Sequence, residues 1–337
     1  MQETMLQNRK PVIRSYWLVG ACIAVGFIAS ICIGNYPISI REIISILTGG
    51  EVGAMTRKVF FTLRLPRTCM GVMAGAGLGV AGSVYQMIFR NPLASPDIIG
   101  VSSGANLGAA IAIVSVGIGV GGIALGAFAG GLLAVAFVML LVRATRANTT
   151  ATYVLAGIVI NAVSKSLIMV LKYFADPDNE LAAMEYWEMG TFGNVTTSKV
   201  LSILPLFAVG LIGLLLLRRQ IELMALGDEE CRGLGVRLRL TRAAVLLLST
   251  LLVSSVICIT GLVAFAGLIA PHTARLMLRR NDSLTLLMSG LMGALVVLCA
   301  DILARTLYSS ELPISILTTV IGVPILVYFM CKRGGAA

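Results

Sequence analysis

The stretch RLPRTCMGVMAGAGLGVAGSVYQMIFRNPLASPDIIGVSSGANLG, residues 64–108, joins a charged entry, a glycine-laddered apolar run, a polar break at Asn91-Pro92 and the start of a second laddered run. Gly71, Gly75 and Gly79 fall four apart, as do Gly100, Gly104 and Gly108, so each set lines one side of a helix. A third ladder follows at Gly122, Gly126 and Gly130. In a soluble helix each glycine costs about 1 kcal/mol against alanine. Ladders at helical spacing therefore point to backbones packed closely inside a membrane, where small faces replace the hydrophobic driving force.

Composition agrees. The 337 residues are 58% hydrophobic and 12% charged with mean hydropathy +0.94, against roughly 25% charged in a typical soluble domain. This is a polytopic, all-α membrane protein of one transmembrane domain, residues 1–337. No segment between apolar runs is long enough for a soluble core; the longest, Lys172 to Lys199, has 28 residues. Seven scattered cysteines without a CxxC read as small apolar residues within helices. A single histidine, His272, excludes a histidine-rich metal site and leaves little for acid–base catalysis.

Working outward, residues 1–14 form a short polar arm, followed by the first span within residues 15–40. An external loop with one short helix precedes the second span, which ends near Phe89. The 45 residues between Asp97 and Arg143 carry no charge, enough for two spans of about 20 residues joined near Gly117 to Gly122. The fifth span covers Thr149 to Leu171, with Lys165 about one turn from its outer end, close enough to snorkel. Residues 172–199 are external, and Val200 to Leu217 forms the sixth span. The charge-free run from Ala243 to Ala274 reads as a full seventh span and a short eighth, broken around Gly261 to Gly267 and ended by Pro271-His272. The ninth and tenth spans lie near Leu284 to Leu307 and Leu312 to Cys331. Gly82 precedes Pro92, and Gly261 precedes Pro271, by ten residues each, and SGANLGA at Ser103 echoes SGLMGA at Ser289. These echoes form a weak internal repeat.

Ten spans put both termini on one side. The N-terminal arm, the C-terminus and the segments after spans 2, 4, 6 and 8 hold 17 Lys/Arg and 7 Asp/Glu, while the rest of the chain balances at 9 and 9. The positive-inside rule then places both termini in the cytoplasm. The net charge of +10 follows from this asymmetry and needs no nucleic-acid partner.

Little here carries covalent chemistry. The phosphate-cradling GxxxxGK[ST] loop is absent from the sequence, so this chain has no such ATP site. Lys165 and Asp301 are the only ionisable candidates for an ion-driven carrier, and Asp301 has Arg305 one turn later for a local ion pair. The polar segment 220–242 reads as two short helices joined by a Gly-Asp turn at the membrane surface. Asp228 caps the second, Gly233 and Gly235 end it, and Leu226 and Leu234 are apolar knobs for a cytoplasmic partner, unless the segment is a solvated amphipathic loop. Arg64, Arg67 and Arg305 sit at outer helix ends, as interfacial anchors or as guanidiniums suited to carboxylates of an arriving protein.

RLPR at Arg64, NPLA at Asn91, GVSSGA at Gly100, ALG at Ala225, GLIAPH at Gly267, ADILAR at Ala300 and ELPI at Glu311 resemble, in order, the signatures of FecCD-type permease subunits of ABC importers for iron-siderophores, haem and cobalamin. The resemblance runs from Tyr36 onward. It implies a type II ABC importer permease with ten transmembrane helices, paired with a second permease copy, either identical or a related chain. Two cytoplasmic ATPases would hold the ATP and Mg, leaving no cofactor in this chain, and an extracytoplasmic binding protein would deliver the cargo. It assigns Arg64, Arg67 and Arg305 to docking of the binding protein. Ala225, Leu226, Gly227, Asp228, Glu229, Gly233, Leu234 and Gly235 fall in the implied ATPase-coupling segment. Thr149 and Thr150 fall at the implied cytoplasmic gate, and Trp187, Gly190 and Gly193 in an external gating segment. Asn91, Pro92, Pro271 and His272 are motif positions of structural kind. The implied location is the bacterial plasma membrane. An ion-gradient-driven secondary carrier using Asp301 or Lys165 is the alternative from another class, with a membrane-embedded enzyme more distant.

Overall fold

The computed structural model describes residues 10–34, 36–117, 119–145, 149–308 and 310–334. Residues 1–9 of the polar arm lie outside the described residues. Its remainder is already helical, because α1 runs Lys10–Cys32. Two short helices, α2 Ile40–Leu47 and α3 Ala54–Val59, occupy the first loop where the sequence suggests one. Ser39 caps α2, and its hydroxyl at 2.7 Å and its N–H at 2.8 Å both donate to Glu42 Oε2, which holds the exposed Glu42 carboxyl below its ordinary range.

A π-turn at Phe60–Arg64 leads into α4, Leu65–Ile88. After a 3-10 turn at Pro96–Ile99 come α5 Val101–Val116, α6 Val120–Ala144 and α7 Thr150–Phe174. The 172–199 segment contains a π-turn at Pro177–Leu181 and α8 Ala182–Met189. Then follow α9 Thr197–Leu216, α10 Arg218–Met224, α11 Asp228–Gly233 and α12 Leu238–Thr260. The chain ends with α13 Ala266–Leu278, α14 Ser283–Thr306 and α15 Ile314–Gly334.

Among the described residues seven helices are long and apolar enough to cross a membrane, and α5 and α15 are shorter apolar helices. A count of ten needs α13 as well, and its 13 residues rise about 20 Å against a hydrocarbon core of about 30 Å. Burial separates centre from rim. The α3–α4 span, α12 and α14 are 78%, 67% and 61% buried, whereas α1, α7 and α9 are 17–22% buried. Outward leucines and valines on those rim helices suit lipid or another protein surface.

The glycine ladders do pack helices, but in pairs that the sequence leaves unspecified. A Cβ on Gly75 would sit 2.1 Å from the Gly293 carbonyl oxygen, and one on Gly79 2.1 Å from that of Ser289, so α4 lies directly on α14. Gly104 and Gly108 meet Gly130 and Gly126 in the same way across α5 and α6. The two echoed motifs at Ser103 and Ser289 thus do equivalent work, each offering its small residues to a neighbouring ladder. Gly71 has open space around it and belongs to no such seam.

One expectation here needs correction. Pro271-His272 does not end a helix: Pro271 lies inside α13, which starts only at Ala266 after the break at Gly261. Proline has no N–H for the carbonyl four residues back, that of Gly267, and this carbonyl is the group packed against Gly82. Lys165 lies in α7, nine residues or about 13 Å of rise before the helix end at Phe174.

Candidate functional site

At one end of the α4–α14 pair five charged residues converge. Arg67 donates from Nε to Asp301 Oδ1 at 2.9 Å and from Nη1 to Glu311 Oε1 at 2.6 Å. Asp301 Oδ2 lies 3.1 Å from Arg305 Nη2, within ion-pair range though not aligned as a hydrogen bond. Arg305 also donates to the Ser30 hydroxyl at 2.8 Å, and Arg64 donates to the Ile33 and Tyr36 carbonyls. The sequence anticipates the Asp301–Arg305 pair from its i,i+4 spacing. It does not anticipate that Arg67, 234 positions away, shares the same carboxylate.

The arginines are nearly enclosed, at 8%, 8% and 7% exposure for Arg64, Arg67 and Arg305. They face a cavity of about 310 Å³ that Tyr36, Gly193 and Glu311 also line. Three guanidiniums against two carboxylates leave one positive charge. Only Glu311, with 43% of its side chain exposed, sits where solvent or an arriving group could compete for Arg67.

The segment around Trp187, Gly190 and Gly193 closes over this end. Thr191 N–H donates to the Thr260 carbonyl at 2.7 Å, and Ile314 N–H donates to the Gly190 carbonyl at 3.1 Å. Gly190 has φ +72, and a Cβ there would lie 2.0 Å from the Leu262 carbonyl oxygen, so no other residue fits both backbone and space. Gly261, at φ +67, would bring a Cβ 2.2 Å from the Trp187 carbonyl oxygen. The segment is therefore pinned to the α12–α13 break and to the start of α15, and Gly193 abuts the Glu311 carboxylate.

At the opposite end, α10 and α11 form the expected pair of short helices. Leu226 and Leu234 project at 58% and 60% exposure, and Glu229, Gly233 and Gly235 are exposed beside them. Gly235, at φ +77, follows the end of α11. Ala225 closes α10. Asp228 does not cap α11 as expected: the N-cap is Gly227, with no side-chain bond. The Asp228 carboxylate instead accepts from Arg242 at 2.9 Å and lies 3.9 Å from Arg90. Arg242 is 1% exposed and stacks over the Tyr153 ring at 5.7 Å. A buried guanidinium outcompetes a backbone N–H for a carboxylate, which ties the helix pair to α12 and to the end of α4. Asp228→Asn is expected to cost about 2 kcal/mol and to open residues 220–242 to protease. Glu229→Gln should leave proteolysis and thermal unfolding in detergent unchanged.

The remaining motif residues are local. Asn91 Oδ1 accepts from Leu93 N–H at 2.9 Å, shaping the turn that contains Pro92. His272 Nδ1 lies 3.3 Å from the Leu268 carbonyl and from Arg275 Nη2. Thr149 caps α7 by accepting from Thr152 N–H, and the neighbouring Thr150 Oγ1 is buried with no hydrogen-bond partner among the described residues.

Long apolar helices, tightly crossed at glycines and carrying charged clusters at their two ends, define an integral membrane protein. The FecCD transport family profile matches residues 21–332, and the chain belongs to that family of ABC-transporter permeases. It is 35% identical to the molybdate import system permease protein of Haemophilus influenzae over 91% of this chain and 93% of that one. It is 35% identical to the hemin transport system permease protein of Yersinia pestis over 82% and 84% of the two chains. A solved inward-facing structure assigned to a metal-chelate type ABC transporter superimposes with TM-score 0.85 at 31% identity, covering 94% of this chain and 98% of that one. PsaBC from Streptococcus pneumoniae in complex with Fab shares the fold at TM-score 0.56 and 14% identity.

Proposed function

We propose that the chain carries a metal chelate, foremost an iron-siderophore and otherwise haem or cobalamin, through the membrane in an ATP-driven importer. Two cytoplasmic ATPases supply ATP and Mg, a second permease copy completes the pathway, and an extracytoplasmic binding protein delivers the cargo. The observation that carries this reading is the match to a metal-chelate type transporter over nearly the whole of both chains. The build of the two ends supports it. Arg64, Arg67 and Arg305 line an electropositive cavity in which a carboxylate of the binding protein can replace Glu311. Leu226 and Leu234 are knobs that an ATPase groove can accept, with Ala225 to Gly235 as the coupling segment. Thr149 and Thr150 stand at the cytoplasmic gate, and Trp187 to Gly193 at the external one. Both termini are cytoplasmic, in a bacterial plasma membrane, as the charge asymmetry directs.

The test is uptake of radiolabelled ferric siderophore by proteoliposomes holding the chain with its ATPase and binding protein. Uptake is expected to need ATP and the binding protein. Uptake driven by a proton or sodium gradient without ATP would replace this reading with a secondary carrier. A second measurement addresses docking: Arg64→Gln, which removes a guanidinium that donates only to the Ile33 and Tyr36 carbonyls and leaves the Arg67–Asp301 pair in place, should weaken binding-protein association while ATPase co-purification is retained.

A further inference from the structure

A cavity of about 770 Å³ forms a groove between α5 and α7, within the size range of small-molecule sites. Its α7 wall contains Asn161, Lys165 and Lys172, at spacings of four and seven that share one helical face. Its α5 wall contains Ser102, Ser103 and Asn106. These polar groups form a track through an otherwise apolar part of the molecule. The Ser103 hydroxyl donates to Asn161 Oδ1 at 2.6 Å, and Asn161 Nδ2 donates to the Asp97 carbonyl at 2.9 Å.

The charges along the groove are unequally compensated. At the outer end Lys172 bonds both Glu185 at 2.7 Å and Glu188 at 3.0 Å. At the other end the Asp97 carboxylate accepts from the Ser95 and Ser102 hydroxyls. Lys165 lies between them, exposed, and no Asp or Glu among the described residues is within ion-pair distance of it. A cation this far from the helix end is costly against lipid, so such residues face water or a counter-charge.

We propose that this groove is a water-filled face of the solute path, and that Lys165 makes it selective for anionic solutes such as carboxylate- or oxyanion-bearing chelates. The proposal deepens the transport reading and rests on it. Asn161, Ser103 and Asn106 supply uncharged hydrogen-bonding groups along which a hydrated anion can move, while Lys165 supplies the attraction. Lys172 is held by two glutamates, which together leave that end net negative, so Lys165 is the lysine of the groove whose positive charge no carboxylate among the described residues offsets in an ion pair.

The test places a cysteine one turn from Lys165, Met169→Cys, in the complete transporter in membrane vesicles. Its modification by an anionic sulfonatoethyl and a cationic trimethylammonium methanethiosulfonate is followed by mass spectrometry of the α7 peptide, so the natural cysteines can remain. Both reagents are expected to react, the anionic one preferentially. Lys165→Gln should lower the anionic-to-cationic rate ratio about tenfold, as removal of one charge about 6 Å away implies, and Lys165→Arg should restore it. Ile158→Cys, on the far side of Lys165 in the same groove, gives the same readout if the first variant does not assemble. A cysteine inert to both reagents at both positions, or a ratio indifferent to Lys165→Gln, overturns the proposal. The assay uses neither ATP nor cargo, so its failure is distinguishable from failure of the ATP-driven reading.

Discussion

Gly82→Ala is expected to destabilise the protein by about 3 kcal/mol, at the upper end of the usual cost of overpacking a core. Helix propensity alone predicts the opposite sign, because alanine is favoured over glycine by about 1 kcal/mol in a helix interior. Space decides between them. A Cβ at Gly82 would lie 1.7 Å from the Gly267 carbonyl oxygen, 2.6 Å from its carbon and 2.9 Å from its Cα. All three atoms are backbone, so no side-chain rotation relieves the clash, and α13 must move away from α4. Gly71→Ala, on the same helix but with nothing within 4 Å, should instead be neutral or stabilising by up to about 1 kcal/mol. Thermal unfolding of the two variants in one detergent measures both. Shifts of the same sign would show that the α4–α13 approach is wider than described.

Asp301→Ala should be more damaging still, by about 3–5 kcal/mol, the usual cost of breaking a buried pair from one side. Asp301 is 1% exposed and is shared by Arg67 and Arg305, themselves nearly enclosed. Without it two guanidiniums remain close together in a poorly solvated space, with Glu311 alone opposing them. Glu311→Gln removes a carboxylate that is 43% exposed, and solvent makes up most of that loss, so about 1 kcal/mol or less is expected. The contrast separates a structural carboxylate from an exchangeable one. If Glu311 is the group that a docking partner displaces, Glu311→Gln should leave folding intact and tighten binding-protein association, whereas Asp301→Ala should lower the yield of folded protein. Equal loss of folded protein in both variants would assign Glu311 to the scaffold as well.

The two ends of the molecule also explain why its polar residues are so few and so clustered. α4 and α14 run the length of the bundle side by side, with the arginine cluster at one end and the α10–α11 pair at the other. Ser283 N–H, beside the first turn of α14, donates to Glu222 Oε2 of α10 at 3.3 Å, and Asp228 reaches Arg242 at the start of α12. The short helices are thus bonded directly to α14, which with α4 carries the arginine cluster at its other end.

Membrane class, all-helical build, the turn after Phe89 and the paired short helices of 220–242 were legible in the sequence. Each depends on local information: length of apolar runs, glycine spacing at 3.6 residues per turn, and Gly or Pro at chain reversals. The i,i+4 pairing of Asp301 with Arg305 was legible for the same reason. Asp228 as a cap was not, because a capping motif and an ion-pair partner look alike until Arg242, 14 positions on, is placed beside it.

What the sequence by itself determined, then, is that glycine-faced helices cross a membrane and that charges gather at their ends, since hydropathy and periodicity are properties of neighbouring residues. Only the tertiary structure decided which ladder meets which helix, that Asp301 serves Arg67 as well as Arg305, and that Lys165 faces a polar groove. Those facts depend on distances between residues far apart in the chain, up to 234 positions for Arg67 and Asp301. Such distances are set by close packing of whole helices and are encoded in no single stretch.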